Sequence, residues 1–146
     1  IQWVKTTNEY YSQKIMKNFK GIIIEESLAD KSILDKVTIL ATDVEPVTEK
    51  HKTPWVKQWT KRMVEIPANQ ALNIAKIISK ALNTTHGAWY ADFKNSTHHY
   101  IIFTGKIFYI DRKNKQQYNA AKQYGITLGI PEYQVDFHPD VKYWER

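Results

Sequence analysis

The sequence predicts a single α+β domain over residues 1–146, an antiparallel sheet with helices packed on one face, and three observations carry that expectation. Side chains in residues 59–66 alternate with a period of two. In residues 71–82 the apolar side chains return at three- and four-residue spacing. Residues 88–111 hold three aromatic-rich runs separated by short polar turns. A period of two belongs to a half-buried strand and a period near 3.6 to an amphipathic helix, while β-branched and aromatic runs between turns mark hairpins. A chain of 146 residues can bury a core unaided, and the absence of cysteine excludes disulfides, thiolate catalysis and cysteine-type zinc sites.

Ile1 to Lys5 suits a short edge strand. Thr6 then caps a helix, with Glu9 three residues later completing a capping box, and Tyr11, Ile15 and Phe19 form its apolar stripe up to Gly21. Residues 21–25 read as a buried strand, Ser27 as the cap of a short helix carrying Leu28, Ile33 and Leu34, and residues 37–44 as another strand. Residues 45–58, which mix charge with Pro46 and Pro54, form a long exposed loop. Loops of this length in compact domains are often functional.

In the strand at 59–66, Thr60, Arg62, Val64 and Ile66 share one face and Trp59, Lys61, Met63 and Glu65 the other. Pro67 stops it, because a proline offers the ladder no N–H, and Asn69 caps the helix that follows. Gly87 reverses the chain into a three-strand meander at 88–94, 98–104 and 106–111. Residues 114–124 form a helix with Tyr118, Ala121 and Tyr124 on one stripe and Gly125 as its terminator; residues 127–133 follow as an extended tail anchored by Val135 and Phe137. The strand–strand–helix–strand order also fits a ferredoxin-like split β-α-β arrangement.

A formal net charge of +6 and a pI near 9.4 direct attention to polyanions, since lysine and arginine gain by displacing counterions from phosphates. No apolar run reaches the ~20 residues of a membrane span and the N-terminus lacks a signal-peptide pattern, so a cytoplasmic protein with no membrane partner is expected. The leading expectation is a non-enzymatic binding module. It takes nucleic acid or another anionic ligand through an open sheet face or the 45–58 loop, with Tyr90, Tyr100, Lys94, Trp55 and Arg62 as binding residues.

The alternative is a small hydrolytic enzyme that sets His86 or His98 beside Asp92, since a carboxylate holds an imidazole tautomer and stabilises its charged form. A third option is an assembly subunit or homo-oligomer anchored by Trp3, Trp55 or Trp144. No cofactor and no metal site is expected: His98 and His99, being adjacent on a strand, point to opposite faces. A concave pocket holding Asp92 and a histidine within hydrogen-bond reach favours an enzyme, whereas a flat basic face with exposed Tyr90 and Tyr100 favours the binding module.

The stretches His86-Gly87-Ala88-Trp89-Tyr90-Ala91-Asp92-Phe93-Lys94-Asn95, Tyr100-Ile101-Ile102-Phe103 and Gly129-Ile130-Pro131-Glu132-Tyr133 resemble phrases of small uncharacterised prokaryotic proteins. That resemblance implies a prokaryotic cytoplasm and carries no activity or site residue.

Overall fold

The structure, a computed structural model, describes residues 17–138. Among these, six strands form one sheet: β1 (Phe19–Ile24), β2 (Thr38–Pro46), β3 (Gln58–Ile66), β4 (Ala91–Lys94), β5 (His98–Phe103) and β6 (Lys106–Asp111). Their order is β2-β3-β1-β4-β5-β6, and every neighbouring pair is antiparallel. Three α-helices, α1 (Ala71–Ala81), α2 (Lys115–Thr127) and α3 (Glu132–Val135), accompany the sheet. No helix of the described residues is long and apolar enough to cross a membrane.

Because β1 is antiparallel to both β3 and β4, those two strands run parallel with β1 between them, so β3–α1–β4 is a split crossover. The crossover from β1 to β2 is split in the same way by β3. It travels through 3-10 turns at Glu25–Ser27 and Lys31–Lys36 in place of a long helix. The central place of β1 follows from its composition, since a strand covered on both faces reads as a continuous apolar run. Its Gly21 allows the close approach of β4: a Cβ there would lie 1.9 Å from the Asp92 carbonyl oxygen.

Helix α1 lays Ile74, Ala75 and Ile78 on Ile23, Val64, Phe93 and Ile102. Each large side chain in this layer, at most 3% exposed, contributes about 1.5–3 kcal/mol. Successive strand residues point to opposite faces, so Ile101 and Phe103 of β5 face away from α1. There they meet Tyr118 and Ala121 of α2 and Val135 of α3. The α+β class and the antiparallel sheet stand as expected, with helices on both faces of the sheet and not on one.

Several local expectations are corrected. Phe19 opens β1 opposite Ile66 and belongs to no helical stripe. Ser27 is no cap, since its Oγ donates to the Ile24 carbonyl at 2.6 Å, and the following 3-10 helix is capped by Asp30, which accepts from the Ser32 N–H. Asn69 caps nothing: a 3-10 turn at Ala68–Gln70 leads into α1 with no side-chain cap. Gly125 lies inside α2, where Val135 packs against it so closely that an added Cβ would meet Val135 Cγ1 at 2.7 Å. The segment expected to be extended turns instead at Gly129 (φ 89°) into α3. The expected strand at 1–5, the Thr6 cap, Tyr11, Ile15, Trp3 and Trp144 lie outside the described residues.

Candidate functional site

On the face opposite α1, strands β1, β3 and β4 form the floor of a cavity of about 270 Å³. The sheet register puts Ile22 beside Asp92 and Ile24 beside Lys61, and Lys94 shares the Asp92 face two residues on. Those five side chains line the floor. Three walls rise from different parts of the chain: His51, Thr53 and Trp55 before β3, the 86–90 segment before β4, and residues 128–131 between α2 and α3 together with Gln134 of α3.

The walls are fastened to one another around Gln134. Its side-chain amide donates to the His51 carbonyl at 3.1 Å, and its own carbonyl accepts from the Tyr90 hydroxyl at 2.5 Å. Next to it the Tyr133 hydroxyl donates to the Lys50 carbonyl at 2.9 Å. A reciprocal cap between Thr48 and His51 holds the 3-10 turn Glu49–His51, so the 45–58 loop is an ordered wall and not a free tip. Trp59 meets Trp89 edge-on with ring centres 5.8 Å apart, Trp55 meets Trp89 at 6.3 Å, and His86 stacks on Trp55 at 5.4 Å. The Trp59 indole N–H, which would be costly to bury alone, donates to Thr53 Oγ1 at 2.9 Å.

Charges are embedded in this aromatic frame. Lys61, 4% exposed, places Nζ 2.5 Å from Glu45 Oε2, and the other oxygen of Glu45 lies 3.3 Å from His51 Nε2. Burial pushes the Glu45 carboxyl up, but the Lys61 ammonium and then His51 outweigh it and hold the group below the ordinary carboxylate value. His51 Nδ1 accepts from the Thr48 N–H at 2.8 Å, which in the neutral ring leaves the proton on Nε2, facing Glu45.

A second chain runs through the sheet. His99 Nε2 is 2.7 Å from Asp92 Oδ2, and His99 Nδ1 is 3.0 Å from the Tyr118 hydroxyl. A tyrosine O–H donating to Nδ1 selects the tautomer whose Nε2–H donates to the carboxylate. His99 has no accessible surface, while the Asp92 side chain keeps 18% and opens on the cavity. The imidazole therefore stands behind the carboxylate, and the carboxylate meets whatever enters.

Of the residues expected to act, Asp92, Lys94, Tyr90, Trp55 and His86 converge on the cavity. His98, Tyr100 and Arg62 do not. His98 lies on the opposite face from Asp92 and stacks on Tyr109 at 4.5 Å. Tyr100 is buried against Phe19 and Phe93. Arg62 points away and bonds Glu25 and Thr42. Sequence reasoning missed Lys61, His51, Trp59, His99, Tyr118 and Gln134 as members of the site, while Trp89 stands among the aromatic residues of the meander that it offers for binding. The alternation that set Trp59 and Lys61 on one strand face was the signal for two of them; nothing in the sequence pointed to Gln134. Among the described residues, no cluster of three or more histidine, aspartate or glutamate side chains is placed to hold a metal ion.

Comparison with known proteins adds no further guide: no family model, no curated protein and no solved structure matches this chain.

Proposed function

We propose that this protein binds a small, flat, negatively charged molecule in the cavity on the sheet face opposite α1. What supports the reading is the composition of one enclosure: Trp55, Trp59 and Trp89 line it, and its floor carries Lys94 and the Glu45-paired Lys61 beside Asp92, Ile22 and Ile24. Rings favour edge-on and stacked contact with a planar ligand, and a lysine in an aromatic, partly dry setting attracts an anion more strongly than one in water. The volume sits at the lower edge of the ~300–1,000 Å³ usual for small-molecule pockets, room for a molecule of one or two rings and not for a polymer strand. Tyr90, tied to Gln134, and Tyr100, buried beneath the α1 layer, offer no paired stacking platform for nucleic acid.

Tryptophan emission tests this directly, because three of the five tryptophans line the cavity. Phenylacetate, a ring with a carboxylate, should shift the emission in a saturable way, while benzyl alcohol, a neutral ring of similar size, should need about tenfold more or fail. Lys94→Gln should bring the two affinities together. Equal responses to both molecules in the unaltered protein, or none at millimolar concentration, count against the reading.

A further inference from the structure

We propose, resting on the cavity as the ligand site, that Asp92 is a general base there and that the protein interconverts the keto and enol forms of an aromatic carbonyl acid. The order of the groups leads to this chemistry. Where a histidine activates a nucleophile, the imidazole faces the reacting atoms and the carboxylate stands behind it. Here the order is reversed: Asp92 lines the cavity, and His99, with no accessible surface, is enclosed behind it. Among the described residues no serine lines the cavity, its one threonine already receives the Trp59 N–H, and the chain has no cysteine. A carboxylate that itself faces the ligand is a proton acceptor, and proton removal next to a carbonyl needs little else besides a cation near the oxygen.

Lys94 supplies such a cation from the same floor, where Lys61 is paired with Glu45. In the step, an Asp92 oxygen takes the proton from the carbon next to the carbonyl. The C–H electron pair becomes the C=C bond, and the C=O pair moves onto oxygen, where a lysine ammonium faces the new charge. Return of the proton from Asp92 to carbon restores the ketone; a proton given to the oxygen by that ammonium makes the enol, after which Asp92 releases its proton to solvent and the lysine takes one back. Nothing is oxidised or reduced and no co-reactant is consumed. The hydrogen bond from His99 holds one oxygen of Asp92, which limits rotation of the carboxylate and fixes it against the floor.

Phenylpyruvate is a suitable probe: a flat ring, a carboxylate, and an exchangeable CH₂ beside a ketone. Its binding is followed by calorimetry, and the exchange of its CH₂ protons in D₂O by proton NMR against buffer alone. The expected result is binding together with exchange at least about tenfold above buffer, and a loss of roughly 100-fold in the protein-dependent rate on Asp92→Asn with binding retained. Phenylacetate, which has no ketone, provides a check without any substitution: it should suppress exchange over the same concentrations at which it shifts tryptophan emission. Phenylpyruvate binding without exchange above buffer overturns this proposal and leaves the binding site standing. Exchange that survives Asp92→Asn or saturating phenylacetate removes Asp92 as the base. Failure of both acids to bind overturns the ligand site, and the catalytic proposal with it.

Discussion

His99 and Asp92 meet at 2.7 Å although the hairpin does not pair them: Asp92 is set against Ile101, and His99 against Lys94. They are diagonal neighbours on one face, a relation that long polar side chains can bridge. The turn before β5 decides which histidine arrives. Asn95 Oδ1 accepts from the N–H groups of both Thr97 and His98, and this tight connection puts His99, and not His98, on the Asp92 face.

His99→Leu keeps the volume and removes both hydrogen bonds, leaving the Tyr118 hydroxyl in a buried site without its imidazole partner. A destabilisation of about 2 kcal/mol is expected, with Tyr118→Phe costing about 1 kcal/mol. Together they should cost less than the sum, because they share one interaction. Urea unfolding of the two single variants and the double one measures this. Simple additivity would mean that the chain from Tyr118 to Asp92 is not energetically connected.

Gly21→Ala tests the seam that places Asp92 and Lys94 beside β1. The added methyl would stand 1.9 Å from the Asp92 carbonyl and 2.5 Å from Phe93 Cα, both backbone atoms of a central strand that cannot swing aside. A loss of at least ~3 kcal/mol is expected, a large share of the roughly 5–15 kcal/mol that holds an ordinary domain folded. An unchanged urea midpoint would show that β1 and β4 lie farther apart than this structure places them.

The fold was legible in the sequence wherever one period dominated. Val64, Ile66, Ile74 and Ile78 repeat at strand or helix spacing, and they are the layer between β3 and α1. By sequence alone Gly21 and Gly125 read as terminators, because glycine punctuates chains; in the structure each is a packing contact, set by a neighbour in another element that no local pattern reveals. The site was legible in part. Asp92 and Lys94 alternate visibly on one strand, but their neighbour Lys61 comes from across β1, and β1 is paired with both strands only once the sheet order is known. Tyr100 reads by sequence as an open-face aromatic, but its exposure depends on which side α1 covers, and it lies on the covered side.

Acidification should act through Glu45. Its carboxyl is held below the ordinary value by Lys61 and His51 against the opposing effect of burial. A group with a depressed folded value stabilises the fold fully above its unfolded value, near pH 4.3 for glutamate, and loses that contribution as pH falls through the folded value. Stability should therefore drop below about pH 4 more steeply in the unaltered protein than in Glu45→Gln, while at pH 7 Glu45→Gln should be the weaker of the two. Parallel profiles of urea midpoint against pH would remove Glu45 as the linked group.

The fastening around Gln134 makes a separate prediction about the cavity. Gln134 is buried, and it ties the wall at His51 through its side chain and the wall at Tyr90 through its carbonyl. Gln134→Ala removes two ordinary hydrogen bonds, to the His51 carbonyl and to the Tyr133 hydroxyl, so the fold should lose about 1–2 kcal/mol. The cavity should lose affinity as well, because a wall free to move must be ordered again each time a ligand enters, and that ordering subtracts from affinity. Phenylacetate should bind roughly five- to tenfold more weakly to Gln134→Ala, a cost of about 1–1.4 kcal/mol. Tyr133→Phe, which loosens the same wall at Lys50, should act in the same direction. If stability falls while phenylacetate affinity stays the same, the three contacts hold the fold together without shaping the cavity, and its walls are rigid for another reason.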